Sequence, residues 1–268
     1  VRGNAAVITL NRPAQLNAFT YHTLSEIRRA VRAATDDAAV VGIIITGNGR
    51  GFSAGLDAQA LVAATSGSSV ASSETRTEDE LPGIFSYLLE VPKPVIAAIN
   101  GVAAGGGVIL ALMSDVRMAS RSAALTTVFL KRGLIAEHGS SWILPRLMGT
   151  GRALDLLWSS DKIDAQEALR LGLVDRVCAP EQLLDDALAY VEKLARVAAP
   201  AAMAATKRLV YEQLGQGFRE ALIETDKVQI AFVAQPDAAE GASALMEKRE
   251  PRFARLGTQG AHSDDTNS

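Results

Sequence analysis

Three short apolar runs rich in β-branched residues, at positions 6–10, 40–46 and 95–100, are each followed by Gly, Pro or Asn. Such runs read as buried strands closed off by turn residues. Between the first two, Thr20 stands where a helix N-cap is expected, and Leu24, Ile27, Val31 and Ala34 follow at helical spacing. Strand, helix and strand in that order predict a mostly parallel α/β core. Gly105-Gly106-Gly107 then leads into residues 108–113, which are apolar on all sides and predict a helix inside the core. Residues 115–120 alternate polar and apolar, and 124–127 predict one more short strand.

The polar, small-residue stretch 62–80 has no periodicity and predicts a mobile loop. Beyond Ala179-Pro180 the pattern is helical. Leu184, Leu188 and Val191 form one stripe, and further helices are predicted at 201–214, 218–233 and 237–248. The expected division is a core over 1–198, a C-terminal helical region over 199–256 and a disordered tail over 257–268, where no apolar face offsets the entropy of ordering.

With 268 residues and 48% apolar content, the chain can bury a large core. A balance of 27 basic against 30 acidic residues leaves no broad cationic face, so a nucleic-acid partner is not expected. One cysteine and three scattered histidines provide neither a disulfide framework nor metal-ligand spacing. The opening Val1-Arg2-Gly3-Asn4 lacks the features of a signal peptide, and no apolar run reaches membrane-spanning length. A reducing, cytoplasmic setting without a membrane partner is the expectation.

Chemistry concentrates in two glycine-rich turns, Gly47 to Asp57 and Gly101 to Gly107, each placed after a predicted strand. A dinucleotide-binding reading fails on spacing, because the first turn has glycines at 47, 49, 51 and 55 and no G-x-G-x-x-G. Two strand-to-helix turns can aim unpaired N–H groups at one point and hold a developing oxyanion. By spacing alone, tight packing of helix on strand is the better explanation of the glycines, because glycine clusters at strand ends usually serve chain geometry.

Several ordered motifs resemble the crotonase, or enoyl-CoA hydratase/isomerase, family. They are Leu10-Asn11-Arg12-Pro13 with Leu16-Asn17-Ala18, Phe52-Ser53-Ala54-Gly55-Leu56-Asp57, Lys93 to Gly101 running into Gly105-Gly106-Gly107, and Ile163 to Ala168 with Gly172-Leu173-Val174. This resemblance implies a spiral of ββα repeats with a C-terminal helical trimerisation region, assembled as a homotrimer or a dimer of trimers. It implies an acyl-CoA substrate, with coenzyme A arriving as part of that substrate and no separate cofactor or metal. The N–H groups of Leu56 and Gly106 would form the oxyanion hole. Leu16, Asn17, Ala18, Ala54 and Asp57 would contact CoA mainly through backbone, and Lys248 would meet a CoA phosphate.

Hydratases of this family carry two glutamates, whose positions here read Ile109 and Phe129. Adding water to a conjugated double bond needs one group to activate water and another to protonate carbon, so losing both counts against the ordinary hydratase mechanism. Four residues after Gly133, Glu137 stands where isomerases of the family carry an aspartate. One carboxylate suffices to take a proton beside the thioester and return it to another carbon. The expectation is therefore an isomerase, or a hydratase using Glu137 alone. A thioester hydrolase or carbon–carbon lyase on the same oxyanion hole, and a catalytically silent acyl-CoA binder, are the alternatives. His138, Trp142 and Trp158 are expected to be structural.

Overall fold

A computed structural model describes residues 1–66 and 81–257. Strands β1 (Ala5–Leu10), β2 (Gly42–Gly47), β4 (Val95–Ile99), β6 (Val116–Ser120) and β9 (Arg176–Cys178) form one sheet, in the order β1-β2-β4-β6-β9, parallel throughout. Strands β3 (Gly51–Ser53), β5 (Val102–Ala104), β7 (Ala124–Thr126) and β8 (Ile163–Asp164) form a second sheet, in which only β7 and β8 are antiparallel. Each of the pairs β2–β3, β4–β5 and β6–β7 thus contributes one strand to each sheet before the chain enters a helical stretch. This repeated ββα turn is the expected spiral.

Continuous apolar runs are needed because the first sheet is covered on both faces. Ile43, Ile45, Ala97 and Ile99 point into the main core, while Ile44, Ile96 and Ala98 meet helix α7 (Leu183–Val197) through Leu183, Ala187 and Val191. All three isoleucines of β2 are therefore fully buried, and a polar residue at any of them would lose its water without gaining a partner. Helix α1 (Tyr21–Asp36) starts where Thr20 Oγ1 accepts from the Thr23 N–H at 3.2 Å, and it buries Ile27, Val31 and Ala34. Helix α3 (Gly106–Leu112) is buried along its whole length, as its sequence predicts.

Two expectations need correction. Residues 58–65 form helix α2 (Ala58–Thr65), so the first residues of the predicted 62–80 loop are helical. An alanine-rich run follows a cap at Asp57, whose Oδ1 accepts from the Gln59 N–H at 3.1 Å, and the loop-like Ser-Gly residues come only afterwards. The remainder, 67–80, lies outside the described residues, as does 258–268 of the predicted tail. Trp158 is not a packing residue, since it is 66% exposed near the end of helix α5 (Thr150–Ser159). Trp142, in helix α4 (Ser140–Met148), does pack on the core, and the Arg146 guanidinium lies 4.1 Å over its ring.

The last three helices are α8 (Pro200–Glu212), α9 (Phe218–Val233) and α10 (Pro236–Glu247). A partly buried polar cluster fastens α8 to the core. Lys207 Nζ donates to Leu88 O at 2.9 Å and to Asp115 Oδ2 at 2.8 Å, and Tyr211 donates to Asp115 Oδ1 at 2.9 Å. Burial pulls the Lys207 amine below its ordinary range, opposed by the Asp115 carboxylate. No helix among the described residues is long and apolar enough to cross a membrane.

Candidate active site

The two glycine-rich turns meet in space. Leu56 forms a parallel bridge with Phe19, in which the Phe19 N–H donates to Gly55 O at 2.7 Å and the Asp57 N–H donates to Phe19 O at 2.8 Å. That pattern uses Gly55 O and the Asp57 N–H, the Gly55 N–H donates to Ser53 Oγ at 3.2 Å, and the Leu56 N–H is left without an acceptor among the described residues. Gly106 opens α3, and a first-turn N–H has no partner within its own helix. Gly55 and Gly106 are in direct contact. A Cβ on Gly55 would lie 2.6 Å from Ala104 O and 2.9 Å from Gly106 N, and Gly55 also holds φ +85°. Only glycine tolerates both conditions. Gly107 serves packing instead, since a Cβ there would sit 2.2 Å from Ser53 O.

The segment expected to meet CoA is held rigidly from below. Leu16 and Asn17 both adopt left-handed backbone, with φ 49° and 57°. Asn17 is 1% exposed. Its Oδ1 accepts from the Arg12 N–H at 2.8 Å, while Nδ2 donates to Asn48 O at 2.9 Å and Gly51 O at 2.8 Å. The N–H groups of Leu16, Asn17, Ala18 and Ala54 all donate within the fold. Three of their carbonyls also accept within the fold, Leu16 O from the Ala54 N–H at 2.9 Å, Asn17 O from Ser53 Oγ at 2.9 Å and Ala18 O from Arg12 Nη1 at 2.6 Å, so each of these offers a ligand only its second lone pair. Asp57 caps α2 and takes Arg12 Nη1 at 3.2 Å, so its carboxylate is committed to structure. Lys248 is exposed in left-handed backbone at the end of α10.

Sequence reasoning missed the side-chain staples of this turn. Besides Asn17, Asn100 Oδ1 accepts from the Gly47 N–H at 2.9 Å, and its Nδ2 reaches Gly49 O and Gly51 O. An asparagine at a strand end signals such a role only when its partner loop is known. Asn17→Ala is expected to cost about 2 kcal/mol in urea unfolding, because it removes the amide that bonds the Arg12 N–H, Asn48 O and the buried Gly51 O. A loss under about 1 kcal/mol would mean that water replaces the amide there.

Glu137 occupies the turn before α4, and its side chain is 33% exposed. Its carbonyl accepts from the Ser140 N–H at 3.0 Å and from Ser140 Oγ at 2.8 Å, which anchors the turn. His138 has φ 53°, unusual outside glycine, and its Nε2 lies 3.9 Å from Glu137 Oε2. One short loop touches both halves of the site. Ile84 Cδ1 would be 3.4 Å from a Cβ on Gly106, and a Cβ on Gly83 would be 3.8 Å from His138 Cα. Ile109 and Phe129 are 0% and 5% exposed, with the Phe129 ring 3.9 Å from a Cβ on Gly105. The two positions read as lost glutamates are thus apolar core.

Comparison with known proteins identifies the class of enzyme to which this chain belongs. Residues 2–256 match the enoyl-CoA hydratase/isomerase family. The chain belongs to that family, also called the crotonase family. A protein of Syntrophomonas wolfei named crotonyl-CoA hydratase is 37% identical over 254 residues, covering 92% of this chain and 94% of that protein. A probable enoyl-CoA hydratase of Mycobacterium bovis is 34% identical over 257 residues, covering 94% and 90%. Among solved structures, an enoyl-CoA hydratase from Polaromonas sp. JS666 superposes with a TM-score of 0.85 at 30% identity, covering 94% of this chain and 97% of that one. One from Mycobacterium tuberculosis H37Rv gives 0.83 at 32% identity, covering 95% and 96%.

Proposed function

We propose that the protein is an acyl-CoA isomerase of this family, with Glu137 as its single acid–base group. The thioester carbonyl accepts from the Leu56 and Gly106 N–H groups. Glu137 removes a proton from a carbon made acidic by the thioester, the two amides hold the resulting dienolate oxygen, and the same carboxyl returns the proton to another carbon. The observation that carries this reading is the pairing of two uncommitted amides, held together through Gly55, with one half-exposed carboxylate on a neighbouring turn while positions 109 and 129 are apolar. CoA enters only as part of the substrate. Its binding falls to the carbonyls of Leu16, Asn17, Ala18 and Ala54, with Lys248 toward a phosphate and Asp57 bracing the segment from behind. The setting is cytoplasmic, where the lone, buried Cys178 remains a thiol.

Hydration is the second reading, favoured by the hydratase names of the relatives. Incubating enoyl-CoA thioesters with the protein in D₂O and following them by mass spectrometry separates the two. Deuterium uptake with double-bond migration supports isomerisation, and addition of water supports hydration. Release of free CoA, or chain cleavage, would point instead to a hydrolase or lyase.

The same family reading makes 199–256 an assembly region and the protein a homotrimer or dimer of trimers. Helix α9 buries no residue and leaves Phe218 83%, Ile230 66% and Val233 70% exposed, and Leu245 and Met246 of α10 are 79% and 82% exposed. So much open apolar surface calls for a partner. Sedimentation equilibrium is expected to return three or six times the chain mass, and a monomer at micromolar concentration would refute the assembly.

A further inference from the structure

One loop, 81–94, leads into β4 and backs both amides of the site. Ile84 Cδ1 comes to 3.4 Å from where a Cβ on Gly106 would stand. The next residue, Phe85, is fully buried, and its ring meets that of Phe19 edge-on with centroids 5.2 Å apart. Phe19 is the residue whose N–H and carbonyl bind Gly55 and Asp57, on either side of Leu56. Two adjacent side chains of the loop thus reach the surroundings of Gly106 and of Leu56.

Pro92 and Pro94 take two N–H donors out of the end of this loop. A side chain from α8 supplies the tie. Lys207 Nζ donates to Leu88 O at 2.9 Å, to Lys93 O at 3.3 Å and to Asp115 Oδ2 at 2.8 Å. An ammonium has three protons, and each finds an acceptor here. Asp115 Oδ2 also accepts from the Val95 N–H at 2.8 Å, so one cation joins the loop to the first residue of β4 and the residue before β6. The Lys207 side chain is 10% exposed, which leaves little water to replace a lost bond. Tyr211, one turn further along α8, donates to the other Asp115 oxygen and not to the loop.

We propose that Lys207 is a positioning residue for the oxyanion hole: from α8 it fixes the loop before β4, and through Ile84 and Phe85 it sets the spacing of the Gly106 and Leu56 amides. This rests on the reading of those amides as the donors to the thioester oxygen. It gives a helix of the C-terminal region a part in the chemistry. Lys207→Met keeps an unbranched apolar stem and removes all three donors.

Infrared spectroscopy reads the hole without turnover. The full chain is bound to butyryl-CoA with an isotope-labelled thioester carbonyl, as wild type, Lys207→Met and Tyr211→Phe, and kcat and KM come from the D₂O assay. In the wild type, two N–H donors polarise the carbonyl, and its stretch is expected to fall below that of free butyryl-CoA. Lys207→Met is expected to move the stretch back toward the free value. It is also expected to lower kcat by about 10²-fold, the cost of a misplacement of about 1 Å, with KM within about twofold. Tyr211→Phe also takes a bond from Asp115, and it is expected to lower the melting temperature while leaving stretch and kcat at wild-type values. Should Lys207→Met not fold, as judged by circular dichroism, Lys207→Gln keeps donors on a shorter stem. That variant is expected to show a partial upward shift and about a tenfold loss in kcat. A wild-type stretch or kcat in a folded Lys207 variant, or an equal shift in Tyr211→Phe, would overturn the role of Lys207 and leave the acyl-CoA reading intact. Butyryl-CoA that fails to bind the wild type, or binds with an unshifted stretch, would remove the oxyanion hole and Lys207 together.

Discussion

Glu137→Gln is expected to lower deuterium incorporation and double-bond migration by about 10²- to 10⁴-fold, the range a positioned acid–base group contributes. Acyl-CoA affinity is expected to be nearly unchanged. The amide keeps the size of the carboxyl and cannot take up a proton, so the substitution removes proton transfer and little else. The turn should survive, because it is held by the Glu137 carbonyl through Ser140 rather than by the carboxylate. Equal rates in the two proteins would take Glu137 out of the mechanism. No turnover by the wild type with any enoyl thioester, alongside retained binding, would instead favour a silent acyl-CoA binder.

Gly55→Ala is the second change with a large expected effect, and it acts on the other half of the site. The added methyl would meet Ala104 O at 2.6 Å and Gly106 N at 2.9 Å, and the residue must hold φ +85°. The backbone would have to shift at the peptide that carries the Leu56 N–H, pushing the two amides apart. Loss of one oxyanion donor lowers kcat by about 10²- to 10³-fold, and forcing alanine into left-handed backbone costs on the order of 1–3 kcal/mol. Both are measurable, the first in the D₂O assay below the variant's melting temperature and the second by urea unfolding. Gly151→Ala is the control. Gly151 lies in the first turn of α5 with open space around it and no positive φ, so its replacement is expected to change stability by less than about 0.5 kcal/mol and to leave kcat unchanged. A folded Gly55→Ala protein with wild-type kcat would show that the Leu56 amide does not hold the reacting oxygen.

Long elements were legible in the chain because their burial leaves a period or an unbroken apolar run. The strands at β1, β2 and β4, helix α1 from its Thr20 cap and α9 from 218 to 233 all lie within a residue or two of where the pattern puts them. The second sheet was mostly invisible, because strands such as Gly51–Ser53, Val102–Ala104 and Ile163–Asp164 are too short to carry a period. Trp158 was misread for another reason: a large aromatic is ordinarily buried, and nothing local says that its helix turns that face outward. Around the site, Leu56, Gly106 and Glu137 were named from motifs. Asn17 and Asn100 as staples and the hold of α8 on the loop before β4 were not, since each depends on residues distant in the chain.

By itself, then, the sequence determined the parallel α/β core, the family and the absence of carboxylates at 109 and 129, because composition, periodicity and ordered motifs are properties of the chain. Tertiary structure alone decided that Gly55 touches Gly106, that the amides of 16–18 are already engaged, and that a helix from the C-terminal region holds the loop that packs on Gly106. The physical reason is that a backbone N–H carries no mark in the sequence. Whether it is free depends on where every other acceptor in the fold has gone.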